Sequence, residues 1–144
     1  MKSVKSEFRE YLLRDDLLRS CLSVGCVTNP TLDVNSYTEE VLDIAAKAWS
    51  GSLGRKDSML KLQTLHTTLF DELGFKGKDE TTKKVIDDPK RHYLHLVLET
   101  HAGSPLSIAL LYCILAEQIG VEYDCLALPN YLFLRVRDVN GEFY

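Results

Sequence analysis

The sequence predicts an α+β fold, in which a helical N-terminal part is followed by a buried central helix packed on an antiparallel β-meander. Up to Gly120, apolar residues recur every three or four positions in several segments, which is the spacing of amphipathic helices. The run "LSIALLYCILAEQIG" is apolar on nearly every side, which is typical of a helix at the centre of a domain. Beyond Gly120 the spacing becomes twofold in "VEYDCLALP" and "YLFLRVR", which predicts strands. Helices first and strands last favour an α+β layout.

The N-terminal third of the chain predicts two helices and a connector. An amphipathic helix is expected over about residues 6–23. The segment "VGCVTNPTLDVNS" reads as the connector, because Asn29-Pro30 is a turn-forming pair. A second helix is expected to open at Ser36, which stands three residues before Glu39 in the pattern of a capping box.

A third helix is expected to start at Asp57 or Ser58. Gly74 is its predicted stop, and Phe75 is placed to pack back on the last turn. A short helix is then expected from Pro89, since proline favours the first helical position.

The C-terminal end predicts a third strand. Asn140-Gly141 is a strong two-residue hairpin turn before "EFY". Strands usually run five or six residues, and only three follow the turn before Tyr144. We therefore expect the natural protein to continue past Tyr144.

Composition limits the classes of partner. The 144 residues suffice for one domain, and a net charge of -4 gives no broad attraction to nucleic acid or anionic lipid. No apolar run reaches the roughly 18 residues that a membrane-spanning helix needs, and the N-terminus lacks a secretory pattern. The four cysteines form no disulfide framework or C-x-x-C pair. We therefore expect a cytoplasmic protein with reduced thiols and no cofactor.

Several motifs occur together in an order that suggests a family. "LHTTLFDELGFKG", then "DDPKRHYLHLVLETHAGSPLSIALLYCILAEQIGVEYDCLALPNYLFLRV", resembles the SirB-type transglutaminase-like family. The family pattern is approximately L-x-x-x-L-F-x-E-L-G-F-x-G, D-P-x-x-x-Y-L-x-x-V-L, G-I-P-I-S-L-x-x-L-Y and L-P-G-H-F-L-V-R. The match runs from about Leu65 to Val136, and its specificity lies in the order and spacing of the motifs. It divides the chain into an N-terminal helix and connector, 1–35, and an incomplete transglutaminase-like domain, 36–144, which together form one compact domain.

The resemblance implies a papain-like core that lacks its catalytic residues. Such a core would hold a nucleophilic Cys at the start of the central helix, a His on the following strand and an Asp on the strand after that. The corresponding positions here are Pro105 and Tyr131, with Asn130 at the glycine of the family pattern. Proline cannot attack a substrate, and a phenol is a poor base at neutral pH. An Asp partner would lie beyond Tyr144.

The resemblance therefore favours a module that binds a protein or peptide over an enzyme. We expect Ser104 to be the N-cap of the central helix, with Pro105 at its first position. A groove between this helix start and the segment with Asn130 and Tyr131 would be the remnant of a substrate cleft. Its occupant would be an extended peptide or an acidic side chain.

Two alternative sites remain open from the sequence. A cysteine-dependent hydrolase or acyl transferase could use a displaced nucleophile, Cys113 or Cys125, with His101 as its base. Cys113 lies about 12 Å along the helix from its start and has apolar neighbours, which favours a structural role. His92 and His95, three residues apart, could share a helix face and hold a metal ion, although their spacing matches no strong motif.

Overall fold

The computed structural model describes residues 3–14, 16–52, 57–77, 93–128 and 131–136. Its architecture is mostly helical, with a small two-stranded antiparallel sheet near the C-terminal end. The predicted helical part, central helix and antiparallel strands are therefore present. The third strand of the predicted meander, with Asn140-Gly141, lies outside the described residues.

The N-terminal segment forms two helices, α1 (Val4–Leu13) and α2 (Leu17–Val24), followed by a 3-10 turn, Gly25–Val27. The prediction of one continuous helix was wrong. Asp16 is the reason, because its carboxylate accepts a hydrogen bond from the backbone N–H of Arg19 and starts a new helix.

Helix α3 (Val34–Gly51) begins earlier than the sequence predicted. Its N-cap is Asp33, whose Oδ1 accepts hydrogen bonds from the backbone N–H groups of Asn35 and Ser36. The predicted capping box at Ser36 was wrong, because Asp33 three residues upstream caps the helix first.

Helix α4 (Ser58–His66) starts at one of the two predicted positions, with Asp57 as its N-cap, and continues into a π-helical turn, Thr67–Glu72. Gly74 ends this run with φ 70°. The Phe75 N–H donates to the Leu69 carbonyl at 3.0 Å, and its ring is buried, which confirms that Phe75 packs back on the helix end.

Helix α5 (Leu94–Thr100) follows, with Tyr93 as its N-cap in an extended conformation. The prediction that a helix from Pro89 continues through Tyr93 was therefore wrong, and Pro89 itself lies outside the described residues. The central helix α6 (Pro105–Gln118) matches the prediction, and Gly120 (φ 80°) follows it. Two short strands, one before α5 and one before α6 in the chain, pair in parallel. These strands, β1 (Lys76–Gly77) and β2 (Ala102–Gly103), were not predicted, because two residues carry no periodicity.

Strands β3 (Tyr123–Leu128) and β4 (Tyr131–Val136) form an antiparallel hairpin, as the twofold pattern predicted. Tyr123 pairs with Val136 and Leu128 pairs with Tyr131, so the register is continuous over both strands.

Helix α6 lies at the centre of the core and packs against α3, α4, α5 and both strands of the hairpin. Side chains from every layer contribute to this core, including Leu22, Val41, Leu65, Leu69, Val97, Leu98, Leu111, Ile114, Leu115 and Val136. In the described part of the chain, no helix is both long and apolar enough to cross a membrane.

Candidate functional site

The start of α6 is closed by a serine cap. The Ser104 hydroxyl oxygen accepts a hydrogen bond from the backbone N–H of Ser107 at 3.1 Å, and Pro105 occupies the first helical turn. The predicted pairing of Ser104 as N-cap with Pro105 is confirmed.

The two serine hydroxyls at this helix start bond to each other. Ser104 Oγ donates to Ser107 Oγ at 3.0 Å, and Ser107 Oγ donates to the Ser104 carbonyl at 3.1 Å. Their exposed fractions are only 2% and 5%. Both hydroxyls therefore serve the cap and lie away from solvent, whereas the adjacent Leu106 is 66% exposed.

Gly103 allows this packing. A Cβ atom at Gly103 would lie 2.5 Å from Ser107 Oγ and 2.9 Å from Val97 Cγ2, which are distances that real Cβ contacts do not reach. The absence of a side chain at Gly103 therefore lets α5 and the first turn of α6 approach each other.

His101 lies beside this helix start in a fixed orientation. It caps α5 in the left-handed conformation (φ 55°, ψ 28°), and its ring stacks on Phe75 with centroids 4.2 Å apart. His101 Nδ1 lies 2.7 Å from the Leu73 carbonyl oxygen. Since a carbonyl only accepts, Nδ1 carries a hydrogen and donates it to this oxygen.

The charge of His101 acts on Glu40, and Glu40 in turn lies near Tyr37 and Glu99. The Tyr37 hydroxyl donates a short hydrogen bond to Glu99 Oε1. This bond, together with burial and negative charge nearby, raises the pKa of Tyr37 to about 12. Burial also raises the pKa of Glu40, which the charge of His101 opposes and that of Glu99 reinforces. Sequence reasoning missed this cluster, because Tyr37 and Glu99 are 62 residues apart.

Cys113 lies in the core, with 3% of its surface exposed. Helix α6 carries it among buried apolar residues, so a substrate in solvent has no direct access to its sulfur. Its sequence-based interpretation as packing agrees with this location. The Cys125 side chain lies outside what the structure describes, while the backbone of Cys125 pairs with Leu134 in the hairpin.

His95 is buried against the N-terminal helices and not in a metal-binding arrangement. Its exposed fraction is 3%, and its Nδ1 has no hydrogen-bond partner. Gly25 covers this nitrogen so closely that a Cβ there would lie 2.5 Å from it. His92 lies outside the described residues, and among those described no group of three or more His, Cys, Asp or Glu side chains is placed to hold a metal ion.

Of the residues that the sequence predicted to line a groove, the structure describes only those at the start of α6, and the groove itself stays a prediction. These residues are Ser104 and Pro105, and His101 lies next to them. Asn130 and the Tyr131 side chain lie outside the described residues.

Comparison with known proteins identifies the family. A model of the transglutaminase-like superfamily matches residues 35–144, and the α1–α2 segment precedes that match. The UPF0162 protein of Xylella fastidiosa (strain Temecula1) is 26% identical over 120 residues, which cover 83% of this chain and 41% of that protein. This relative and the family match confirm the resemblance to the SirB-type family.

Other relatives carry the same family resemblance in larger proteins. F-box only protein 21 of Mus musculus is 32% identical over 74 residues, which cover 51% of this chain and 11% of that protein. Its counterpart from Homo sapiens is 25% identical over 120 residues, covering 72% of this chain and 18% of that protein. The chain thus spans less than half the length of each of these relatives, and no solved structure matches it significantly. Because the family match covers more than half of the chain, this protein belongs to the transglutaminase-like superfamily.

Proposed function

We propose that this domain acts by binding a protein or a peptide and does not form a covalent intermediate with its ligand. The observation that carries the proposal is the start of α6, where the papain-like core of the family would hold its nucleophile. Pro105 has no nucleophilic atom, and the hydroxyls of Ser104 and Ser107 are buried in the helix cap. These residues therefore stabilise the start of α6.

The surface beside this cap supports a binding role. Leu106 is 66% exposed in the first turn of α6, and Pro105 next to it is also exposed. Exposed apolar residues that adjoin one another commonly provide the anchors of a peptide interface. The proposed groove runs from these two residues towards Asn130 and Tyr131, and its ligand is an extended peptide segment.

Peptide display tests this groove with a matched control. Peptides selected from a random display library on the wild-type chain should lose binding to the variant Leu106→Asp. They should retain it with Leu13→Asp, because Leu13 is 78% exposed on α1 and lies outside the groove. Tyr131→Ala should weaken the same peptides. Binding that survives both Leu106→Asp and Tyr131→Ala would overturn the proposed location.

The cysteine-enzyme alternative predicts a reactive thiolate, which a titration can detect. A thiol reagent near pH 6 should react slowly with Cys113, since the sulfur is buried in native protein. A fast reaction that disappears only in Cys113→Ser or Cys125→Ser would favour the alternative. As a control, the same rates measured in denaturant should show that every thiol reacts with the reagent once it is exposed.

A further inference from the structure

A concave surface lies at the C-terminal end of α6. The helix spans 14 residues, so this surface is about 20 Å from Pro105 at 1.5 Å per residue. Its volume is about 380 Å³, and it lies between the α1–α2 junction, α3 and the last turns of α6. This volume is at the lower end of the range of ligand pockets, which suits a few residues of a peptide.

Part of the lining of this C-terminal cleft is apolar, although most of its surface is polar. Leu18 and Ile114 are buried beneath it, and Leu17 is half-buried at its side. Leu42 is 42% exposed at the same place. An aliphatic side chain that covered Leu42 would remove its apolar surface from water, which stabilises a complex by roughly 25 cal/mol per Å² before the costs of binding.

The charged residues of the C-terminal cleft fall into two groups. Asp16 and Arg19 form an ion pair with each other. Asp16 Oδ1 accepts a hydrogen bond from the backbone N–H of Arg19 at 3.0 Å, and Asp16 Oδ2 accepts one from Arg19 Nη1 at 3.2 Å. Arg14 and Glu117 also line the cleft, and neither forms an ion pair with another described residue. Among the described residues that line the cleft, the remaining charges are therefore the cation Arg14 near the start of α2 and the anion Glu117 on α6.

The partial charges at two helix ends have the same signs as these two side chains. The first turn of α2, with its partial positive charge, lies on the same side as Arg14, and the last turn of α6, with its partial negative charge, lies on the side of Glu117. A ligand of a single charge sign would be attracted by one side and repelled by the other. A ligand with charges of both signs around an apolar group would be attracted by both sides.

We propose that the C-terminal cleft binds a short peptide segment of a protein partner in which an aliphatic side chain stands between an acidic and a basic residue. The aliphatic group covers Leu42, the carboxylate approaches Arg14 and the cationic group approaches Glu117. This site is separate from the groove at the start of α6, and its existence does not depend on that groove.

A designed peptide tests the proposal directly. The probe is the blocked peptide Gly-Glu-Ala-Leu-Ala-Lys-Gly, titrated into the isotope-labelled full chain up to about 5 mM, a range that detects millimolar affinities. Saturable changes in amide chemical shift are expected at Leu42 and in the last turns of α6. The control peptides carry Gly for Leu, or Gln for both Glu and Lys, and each should bind at least about fivefold more weakly.

Variants of the protein separate the cleft from the rest of the surface. Arg14→Ala and Glu117→Ala should each weaken the peptide about fivefold, whereas Lys47→Ala, which removes a charge that pairs with Glu72 elsewhere, should leave the affinity unchanged. The double change Arg14→Glu with Glu117→Arg should prefer the peptide with Glu and Lys exchanged. Absence of saturable shifts, equal affinity in the Arg14 and Glu117 variants, or shifts centred on Leu106 would each overturn the proposal.

Discussion

The two ends of α6 are built differently. At the N-terminal end, Ser104 and Ser107 are buried, and Gly103 lets neighbouring elements approach closely. At the C-terminal end, the α1–α2 segment leaves an open cleft with charges of both signs. The N-terminal end is thus packed for stability, and the other end exposes polar and apolar groups together. This difference implies that substitutions of the buried residues at the first end should affect stability, whereas substitutions of the exposed charges at the second end should affect ligand binding.

The largest expected effect is at Gly103. Gly103→Ala should lower the free energy of unfolding by about 3 kcal/mol, because the added methyl would meet both Ser107 Oγ and Val97 Cγ2 closer than 3 Å. Gly120→Ala is the matched change just past the other end of α6, where the nearest atom would be Lys61 Nζ at 3.6 Å. It should cost about 1 kcal/mol, from the positive φ alone.

Denaturant unfolding of both variants measures this contrast. Equal losses at the two glycines would show that the start of α6 can relax, and would remove the distinction between a tight end and an open one.

Removal of the serine cap should have the next largest effect. Ser104→Ala loses the hydroxyl that accepts from the Ser107 N–H, and should lower the free energy of unfolding by about 1 kcal/mol. Ser104→Thr keeps the acceptor and should recover part of the loss. An Ala variant as stable as wild type would mean that the cap contributes nothing, and the burial of both hydroxyls would then need another explanation.

The sequence predicted the elements that rest on local signals. Asp57, Gly74, Ser104 with Pro105, and Gly120 were found because caps and stops depend on residues within one turn. The same local reasoning failed at Ser36, where two cap patterns overlapped and Asp33 formed the stronger one.

The candidate sites were less predictable, because they depend on contacts between distant segments. The family motif located the start of α6, but nothing in the sequence indicated that His101 would stack on Phe75 or that Gly25 would cover His95. The C-terminal cleft was also missed. Its lining comes from α2, α3 and α6, and the break between α1 and α2 that shapes it depends on Asp16.

Low pH should weaken the packing of the N-terminal helices against the rest of the protein. These helices form one side of the C-terminal cleft. Burial lowers the pKa of His95, and the nearby charge of Glu99 only partly opposes this. The rings of Tyr37 and Tyr93, and the backbone of Gly25, surround the imidazole on its other sides. The unfolded chain therefore takes up a proton more readily than the folded chain.

The sign of the effect follows from this difference. The contribution of His95 to stability is complete above the ordinary histidine pKa near 6.5 and is lost as the pH falls through that value towards the lowered pKa of the folded protein. Unfolding measured between pH 7.5 and about 5 should therefore show falling stability in the wild type and a smaller fall in His95→Leu. Because both proteins keep Glu40 and the other histidines, the difference between the two profiles isolates His95. Identical profiles would contradict this role.

The smallest expected effect on stability is at Arg19. Its ion pair with Asp16 is half-exposed, so Arg19→Met should change the free energy of unfolding by less than about 0.5 kcal/mol. Asp16→Ala should cost about 1 kcal/mol, since it removes the N-cap of α2. Arg19→Met nevertheless leaves the Asp16 carboxylate without its ionic partner beside Arg14 and should therefore weaken the acidic-aliphatic-basic peptide. If Arg19→Met keeps its stability and binds the peptide more weakly, the charges at this end of α6 serve recognition. A large loss of stability would instead show that Arg19 has a structural role, like the buried residues at the start of α6.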